Sequence, residues 1–366
     1  METIIKHLQG GPADDSLYRE AADLIKAGEL VAFPTETVYG LGGNGLLASS
    51  ASKIYAAKGR PSDNPLILHI AERDVLPGLV RDIPAGAESL MDAFWPGPLT
   101  LIFKKSKRVP RETTGGLDTV AIRMPSHPAA LALIRAADVP LAAPSANASG
   151  RPSPTKAIHV YEDLKGRIPL ILDGGESPIG LESTIVDLSG LVPEVLRPGY
   201  IGLPALQRVL GTVVLDPALL DIPGKDIAPR APGMKYRHYA PRVPIFLLAG
   251  NAEQRAAYIK RKAREAKERH QRIAALVSQE TLPLYQEDQE GHLLLLSLGE
   301  RSRDESIAHA LFGVLRQLDS LGLSQVYSET FESGPLGPAI MNRLRKAASF
   351  QYIQLDNNSE AEEQYD

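Results

Sequence analysis

The chain has 366 residues, which is too long for one ordinary domain and suits two. Lys and Arg number 40 against 44 Asp and Glu, and the net charge of −4 excludes a polycation built to grip nucleic acid over its whole surface. The absence of cysteine excludes disulfides, thiolate nucleophiles and cysteine-bound metal centres, and the 8 histidines form no His-x-x-x-His pair that would indicate a transition-metal site.

The sequence contains neither a recognisable targeting signal nor a membrane-spanning stretch. Residues 1–6 lack the long apolar region of a signal peptide, and no stretch approaches the ~18 apolar residues of a membrane helix. We therefore expect a soluble, cytoplasmic protein with no membrane partner.

The first 210 residues alternate helical and strand-like hydrophobic patterns. Helices are predicted over 16–27, 48–58, 85–93 and 129–137. Strands are predicted over 30–34, 66–70, 99–103, 119–125, 140–143, 170–173, 183–187 and 194–197. Residues 35–45 are predicted to form a loop whose small and hydroxyl residues let a ligand approach the backbone. The pattern predicts an α/β (α+β) domain over 1–210 with a twisted mixed sheet.

Proline and glycine then mark a connector over 211–242, where we expect no regular structure. Strands are predicted at 245–248, 273–277, 292–298 and 325–329, and helices at 252–269, 306–321 and 339–348. This alternation predicts a smaller Rossmann-like domain over 243–354. Residues 355–366 are acidic, and we expect a disordered tail there.

The segment Lys58–Pro65 combines two cations, a hydroxyl and two prolines. In an extended segment, side chains alternate between two faces, so Lys58, Arg60 and Ser62 are expected to point the same way. Together they would clamp an anion such as a phosphate or a carboxylate. A solvated basic turn explains the same residues equally well when the segment is considered alone.

Further polar residues lie at the ends of other predicted strands. Arg123 ends one strand, Ser145 and Asn147 follow another, and Ser183 enters a third. An Asx or Ser turn is the ordinary explanation for such a hydroxyl or amide alone. Taken together, clustered cations and hydroxyls without a paired nucleophile and base favour a site that positions charged substrates over covalent catalysis.

The glycines at 40, 42 and 45 formally satisfy the dinucleotide-binding pattern G-x-G-x-x-G. The match is weak, because residues 35–39 intervene after the strand and nothing indicates that a helix opens on the third glycine. The phosphate-binding pattern G-x-x-x-x-G-K-[ST] is absent, so a loop of that kind is not expected to hold phosphates.

Four segments resemble the signature segments of the YrdC-like threonylcarbamoyl-AMP synthases. They are Pro34-Thr35-Glu36-Thr37-Val38-Tyr39-Gly40-Leu41-Gly42, Lys58-Gly59-Arg60-Pro61, Pro144-Ser145-Ala146-Asn147 and Glu182-Ser183-Thr184-Ile185-Val186-Asp187. Residues 1–210 are similar to the YrdC-like catalytic domain of that family. Residues 231–241 resemble the linker of its long, two-domain form, and the remainder resembles its additional C-terminal domain.

The resemblance implies a nucleotidyltransferase, an L-threonylcarbamoyladenylate synthase that makes threonylcarbamoyl-AMP and pyrophosphate from L-threonine, bicarbonate and ATP. The product would serve the t6A modification of adenosine 37 in tRNA, after hand-over to the tRNA threonylcarbamoyl transfer machinery. A weak contact with tRNA itself fits the same role. Mg²⁺ is implied with ATP, held by water and nucleotide, because no carboxylate cluster is evident in the sequence.

The resemblance also implies which residues form the site. Lys58 and Arg60 are implied to be catalytic. The residues implied for threonine and its carbamate are Thr35, His69, Arg123, Ala143 through its backbone, and Ser183. The residues implied for ATP are Lys58, Ser62, Thr119, Ser145, Asn147, Ser153, Arg197 and Tyr236. No residue is implied as a metal ligand.

Two details of this site stay open in the sequence. His69 is explained equally simply as a packed core histidine at a strand end. In the linker, Tyr236, His238 and Tyr239 are expected to fold over the pocket as a lid that shields a water-sensitive intermediate.

Two other functions fit parts of the pattern. A double-stranded RNA or tRNA binding module is the main alternative, but the net charge of −4 and the lack of basic stripes interleaved with aromatic residues argue against it. Carbamoyl transfer in hydrogenase maturation uses a similar catalytic domain. It would require attached zinc-finger segments, which a chain without cysteine cannot form.

Overall fold

The computed structural model describes residues 1–219, 229–234, 239–285 and 291–355. The chain divides into two compact units, Met1–Ser149 with Ser153–Tyr236, and Gly150–Pro152 with Arg237–Asp366. Tyr236 and His238, which the resemblance places at the ATP site and in the lid, lie outside the described residues. Residues 356–366 of the predicted acidic tail also lie outside them.

The described part of the first unit contains helices and strands in mixed order. Its helices are α1 (Asp15–Lys26), α2 (Ala48–Lys58), α3 (Ala87–Phe94), α4 (Pro128–Ala137), α5 (Ala157–Leu164) and α6 (Leu203–Leu210). Its strands are β1 (Ile4–His7), β2 (Val31–Phe33), β3 (Gly40–Asn44), β4 (Ile67–His69), β5 (Leu99–Lys104), β6 (Thr119–Arg123), β7 (Leu141–Ala142), β8 (Leu170–Asp173), β9 (Thr184–Asp187), β10 (Glu194–Arg197) and β11 (Val214–Leu215).

These strands form one sheet in the order β1-β8-β2-β3-β7-β4-β6-β5-β9-β10-β11. The sheet contains both parallel pairs, such as β4 with β6, and antiparallel pairs, such as β5 with β6, so it is mixed. The predicted α/β (α+β) class with a mixed sheet is confirmed. Helix α2 begins and ends where the sequence predicts it, and Gly59 ends it in the left-handed conformation at φ 63° that favours glycine.

Helices cover the two faces of this sheet unequally. On one face, α2, α3, α5 and α6 pack over a core that contains Leu68 and Leu101. On the other face, α1 and α4 pack over residues such as Phe33. Ile67 and Ala121 also lie on this second face, but there they belong to a small apolar cluster with no helical member. The second face above β4, β5, β6 and β9 is therefore where polar side chains reach a surface that these helices leave uncovered.

The largest difference from prediction is β3, which lies inside the segment predicted to be a loop. Gly40 and Gly42 pair with β2 in an antiparallel register instead of opening a helix, so a dinucleotide-binding turn is not formed there. A Cβ at Gly42 would lie 2.8 Å from the Phe33 ring, so the strand requires glycine at this position. Strand β1 and helices α5 and α6 were also absent from the prediction, and 211–219 contains β11 where no regular structure was expected.

The second unit is a parallel sheet with helical crossovers. Its helices are α7 (Ala252–Glu268), α8 (Asp304–Gln317) and α9 (Gly337–Ala347), and its strands are β12 (Ile245–Ala249), β13 (Ile273–Ser278), β14 (Leu293–Gly299), β15 (Gln325–Glu329) and β16 (Tyr352–Gln354). The strands lie in the order β14-β13-β15-β12-β16, and every pair is parallel. The predicted Rossmann-like fold is confirmed. Within the described residues, no helix has both the length and the apolar character to cross a membrane.

Candidate active site

Neighbouring strands bring polar side chains into one row on the uncovered face of the first sheet. His69 at the end of β4 pairs with Arg123 at the end of β6, because these strands run parallel. Strand β5 runs antiparallel to β6 and pairs Thr100 with Arg123. The Oγ of Ser183, directly before β9, lies 2.7 Å from Oγ1 of Thr100. The sheet register therefore assembles His69, Arg123 and Ser183, three of the residues predicted for threonine.

Arg123 is buried and is fixed from several directions. Its Nη2 forms an ion pair with Oε1 of Glu36 at 2.6 Å, and its Nη1 donates to Oγ1 of Thr37 at 2.8 Å. Its Nε donates to the Gly97 carbonyl at 3.2 Å. Burial raises the pKa of Glu36, but the Arg123 charge, the hydrogen bond from Arg123 and hydrogen bonds from backbone N–H groups together bring the pKa below its ordinary value. The guanidinium is therefore held beside a carboxylate that stays ionised.

His69 is buried and neutral. Burial and the neighbouring Arg123 charge lower its pKa to about 3. Its Nδ1 lies 3.2 Å from the Ile67 carbonyl oxygen. Because a carbonyl oxygen only accepts hydrogen bonds, the proton of the neutral ring is on Nδ1, and Nε2 is an acceptor. The ring therefore presents an uncharged polar group next to a cation.

Arg197 and Ser183 form a second fixed pair beside this row. Arg197 donates from Nε to the Ser183 carbonyl at 3.0 Å and from Nη2 to the Ser183 Oγ at 3.0 Å. Its Nη1 donates to the Pro232 carbonyl at 3.4 Å. The resemblance places Arg197 with ATP and Ser183 with threonine, but the structure joins the two side chains directly. The two predicted substrate sets therefore meet at this pair.

Lys58 organises the segment that contains Ser145 and Asn147. Its Nζ donates to the Ser145 carbonyl at 2.5 Å and to the Asn147 carbonyl at 2.6 Å. The Ser145 hydroxyl donates to the Asn147 Oδ1 at 2.6 Å. Lys58 is buried at the last turn of α2, so its ammonium is committed to this loop. The structure thus brings together Lys58, Ser145 and Asn147, as predicted for the ATP site.

The expected alternation of Lys58, Arg60 and Ser62 along an extended segment is wrong. Lys58 is the last residue of α2, Gly59 turns the chain, and Ser62 is exposed in the following turn. Arg60 donates from Nε to the Asn64 carbonyl at 3.1 Å and from Nη2 to the Asn64 Oδ1 at 2.6 Å. The expectation of an extended segment left out the end of the helix at Lys58. Because the chain turns there, Lys58, Arg60 and Ser62 lie in different surroundings.

Three of the other predicted residues are held by hydrogen bonds, and a fourth, Thr119, lies away from Arg123. Thr35 is buried, and its Oγ1 lies 2.9 Å from the Thr37 Oγ1. Ala143 donates its N–H to the Ile67 carbonyl at 2.9 Å. Ser153 donates to the Glu182 Oε1 at 2.5 Å. Thr119 begins β6, at the opposite end of that strand from Arg123.

Sequence reasoning assigned no role to Glu36, Thr37, Thr100 or Glu182. Glu36, Thr37 and Glu182 lie inside the signature segments, so their position was a signal for a site role. Thr100 lies in an ordinary strand pattern and becomes visible only through the register of β5 with β6. Each one contacts a predicted site residue and holds it in place.

The carboxylates near this site are committed to protein partners. Glu36 is paired with Arg123, and Glu182 accepts from Ser153. Within the described residues, no group of three or more His, Cys, Asp or Glu side chains could hold a metal ion. In the part of the chain that the structure describes, this donor set does not fit a magnesium site built from protein carboxylates.

The fold and the site define a mixed α/β protein with buried cations placed to bind and align anionic substrates. Among known proteins, the threonylcarbamoyl-AMP synthase of Pyrococcus abyssi is 46% identical over 338 residues, which is 92% of this chain and 95% of that protein. The protein of the same name from Bacillus subtilis is 45% identical over 342 residues, with 93% and 95% covered. The chain therefore belongs to the threonylcarbamoyl-AMP synthase family.

Family models and solved structures agree with this assignment. A model described as "Telomere recombination" matches residues 23–199, and one described as "Threonylcarbamoyl-AMP synthase, C-terminal domain" matches 201–349. The crystal structure of P. abyssi Sua5 complexed with L-threonine has a TM-score of 0.88 and 43% identity, and covers 97% of this chain and 100% of that chain. The predicted family is confirmed.

Proposed function

We propose that this chain is a threonylcarbamoyl-AMP synthase that makes threonylcarbamoyl-AMP and pyrophosphate from L-threonine, bicarbonate and ATP. The observation that supports it most is the row of His69, Arg123 and Ser183 on the uncovered sheet face. The similarity of this chain to a relative whose structure was solved with L-threonine supports L-threonine as the substrate.

The threonine set provides charge and polarity without acid–base chemistry of its own. Arg123 supplies a fixed positive charge for the anionic carboxylate and carbamate, and Ser183 supplies a hydroxyl. His69 stays neutral and accepts through Nε2, so it does not compete with Arg123 for the anion. Thr35 and the Ala143 backbone complete the proposed set.

The reaction then needs alignment. Bicarbonate takes up a proton and loses water to give carbon dioxide. The threonine amine adds to this carbon dioxide and releases a proton, which gives a carbamate and balances the proton taken up. A carbamate oxygen attacks the α-phosphorus of ATP, a new O–P bond forms, and the bond to the β-phosphate breaks to release pyrophosphate. Negative charge is concentrated on both reactants, so fixed cations lower the barrier by holding them in line.

The proposed ATP groups come from several elements: Lys58 ends α2, Ser145 and Asn147 follow β7, Thr119 begins β6 and Arg197 ends β10. Lys58 is the proposed catalytic cation, with Arg60 beside it in sequence, and Ser145 and Asn147 are ordered by the Lys58 ammonium. Ser62, Thr119, Ser153, Arg197 and Tyr236 stay proposed ATP ligands. Mg²⁺ is proposed to arrive bound to the ATP phosphates.

The proposed role extends to tRNA modification. The activated carbamate is a substrate for an enzyme that transfers the threonylcarbamoyl group to adenosine 37 of tRNA, and a weak contact with that tRNA is part of the proposal. A cytoplasmic location is proposed because the tRNA substrates of that reaction are there. RNA binding alone predicts no consumption of ATP.

The test is pyrophosphate release from ATP, measured without tRNA. We expect release that requires both L-threonine and bicarbonate and falls at least about a hundredfold in Lys58→Ala. Equal release with serine, or with no amino acid, would contradict threonine as the substrate. Lys53 lies on the same helix as Lys58 but is exposed and pairs with Glu29, so Lys53→Ala provides a control with normal release.

A further inference from the structure

We propose that Arg230 is a positioning residue for the substrate site, acting through residues 231–232 and Arg197. It fastens 229–234 to the sheet edge, and this segment in turn supplies an apolar cover and a carbonyl acceptor beside the threonine residues. The inference rests on the proposed function. It adds a residue that lies outside both predicted substrate sets.

Arg230 joins three carboxylates from three neighbouring strands. Its Nη2 lies 2.6 Å from Oδ2 of Asp187, at the end of β9. Its Nη1 lies 2.8 Å from Oε2 of Glu194, at the start of β10, and 3.7 Å from Oδ2 of Asp216, directly after β11. One planar guanidinium thus bridges the last three strands of the sheet, a geometry that a lysine ammonium does not reproduce.

Two of these carboxylates are also held by other groups. Asp187 is buried, and its Oδ1 accepts from the Ser189 N–H at 2.8 Å and from the Ser189 hydroxyl at 2.7 Å. Asp216 Oδ1 accepts from the Ala218 N–H at 2.9 Å. Asp187 and Asp216 are thus held at their own strand ends, and Arg230 joins its chain segment to them.

The residue that follows Arg230 packs beside the site. Ala231 has 0% exposed surface and belongs to the apolar cluster that contains Ile67 and Ala121. Ile67 lies two residues before His69 on β4, and Ala121 lies two residues before Arg123 on β6. Residues two apart on a strand share a face, so Ala231 covers the sheet directly next to the site row.

The next residue contacts the site itself. The Pro232 carbonyl accepts from Arg197 Nη1 at 3.4 Å, while the other side of the same guanidinium holds the carbonyl and hydroxyl of Ser183. A buried guanidinium that loses an acceptor shifts towards another one. Release of the 229–234 segment therefore changes the orientation of Arg197 and Ser183 without altering either residue.

The experiment compares Arg230→Ala and Arg230→Lys with Arg135→Ala. Arg135 forms an exposed ion pair with Glu72 at 2.7 Å on the helical face and controls for loss of a surface arginine. We expect Arg230→Ala to raise the threonine KM about fivefold, with kcat changed less than about twofold, since one positioning contact is lost. The threonine KM of Arg230→Lys should lie between those of wild type and Arg230→Ala. Arg135→Ala should leave both the threonine KM and kcat unchanged.

A binding measurement separates this inference from the proposed function. Titration calorimetry of threonine into the variants should give Kd values that follow the threonine KM, with the melting temperature recorded alongside. An Arg230→Ala protein that binds threonine as wild type does would overturn the inference; should that variant not fold, wild-type affinity in Arg230→Lys and Glu194→Gln would do the same. Wild-type protein that neither binds threonine nor releases pyrophosphate would overturn the proposed function first, and the inference with it.

Discussion

At the scale of single residues, the site is built on charge that is fixed in place. Arg123 is buried between Glu36, Thr37 and the Gly97 carbonyl, which hold its guanidinium in place. In the proposed function such a preorganised cation would cost no reorganisation when an anion binds.

His69 shows how far this environment changes an ordinary group, and it gives a pH prediction. Its pKa falls from 6.5 in the unfolded chain to about 3 in the folded one. Between these values the unfolded state takes up a proton that the folded state does not, so stability is lost as pH falls below 6.5. We expect this residue to cost wild type about 2 kcal/mol at about pH 5 relative to neutral pH.

Urea unfolding of wild type and His69→Gln, at neutral pH and at about pH 5, measures how much stability His69 costs on acidification. The variant has no ionisable ring, so it should lose about 2 kcal/mol less on acidification than wild type. Comparing the pH dependence and not the absolute stability removes the packing cost of the substitution. Equal acid losses in the two proteins would show that His69 is not held neutral.

The sequence indicates which residues belong to the proposed site, but it does not predict their contacts. The signature segments contain Lys58, Ser145 and Asn147, yet Lys58 meets partners that are 87 and 89 residues further along the chain. The helix end at Lys58 was predictable, but the alternation expected for Lys58, Arg60 and Ser62 did not take it into account. Side-chain direction depends on such long-range partners, which no local pattern contains.

At the scale of elements, β3 shows why one strand escaped prediction. Glycine is depleted in strands, so the run Gly40-Leu41-Gly42-Gly43 indicates a loop by propensity alone. The reason for glycine is tertiary, because the Phe33 ring on β2 occupies the space above Gly42. A sequence pattern gives the propensity of a segment but does not reveal the ring that overrides it.

This packing predicts a specific cost for Gly42→Ala. The added Cβ would lie 2.8 Å from the Phe33 ring, so the ring or the strand must shift. We expect unfolding free energy to fall by about 2 kcal/mol, as overpacked cores do. Gly190→Ala is the control, since its Cβ would meet only the Val192 carbonyl, at 4.0 Å.

A double-mutant cycle tests the cause. Phe33→Leu makes room above Gly42, so Gly42→Ala should cost less in the Phe33→Leu background than in wild type, by about 1 kcal/mol of coupling. Denaturant unfolding measures all four proteins. Additive losses would show that the ring is not what requires glycine.

At the scale of the whole molecule, element type was easier to predict than element order. The hydrophobic patterns of helices and of strands were enough to predict a mixed first domain and a Rossmann-like second one. They could not place β1 beside β8, where Ile4 pairs with Leu170, or fix β16 at the edge of the second sheet. Strand order depends on contacts between distant segments, and hydrophobic periodicity carries no information about them.

The second unit has its own polar anchor, distinct from the site row. Glu329 at the end of β15 is fully buried and accepts from Arg301 Nη2 at 2.6 Å, from the Tyr285 hydroxyl at 2.9 Å and from the Ser278 N–H at 3.2 Å. Burial and Glu329 raise the pKa of Tyr285, so its hydroxyl stays protonated and donates. One carboxylate thus ties together the segments that follow β13, β14 and β15.

Glu329→Gln should therefore weaken the second unit selectively. The amide cannot neutralise Arg301, and the loss should be about 2 kcal/mol, below the value for a fully buried pair because Arg301 is 26% exposed. Hydrogen exchange followed by mass spectrometry should show faster exchange in peptides covering β13 and β15, with β4 and β6 unchanged. Tyr285→Phe removes only one hydrogen bond and should cost about 1 kcal/mol. Equal acceleration in both sheets would mean that the two hydrophobic cores unfold as one cooperative unit, and the anchor would then stabilise the whole chain.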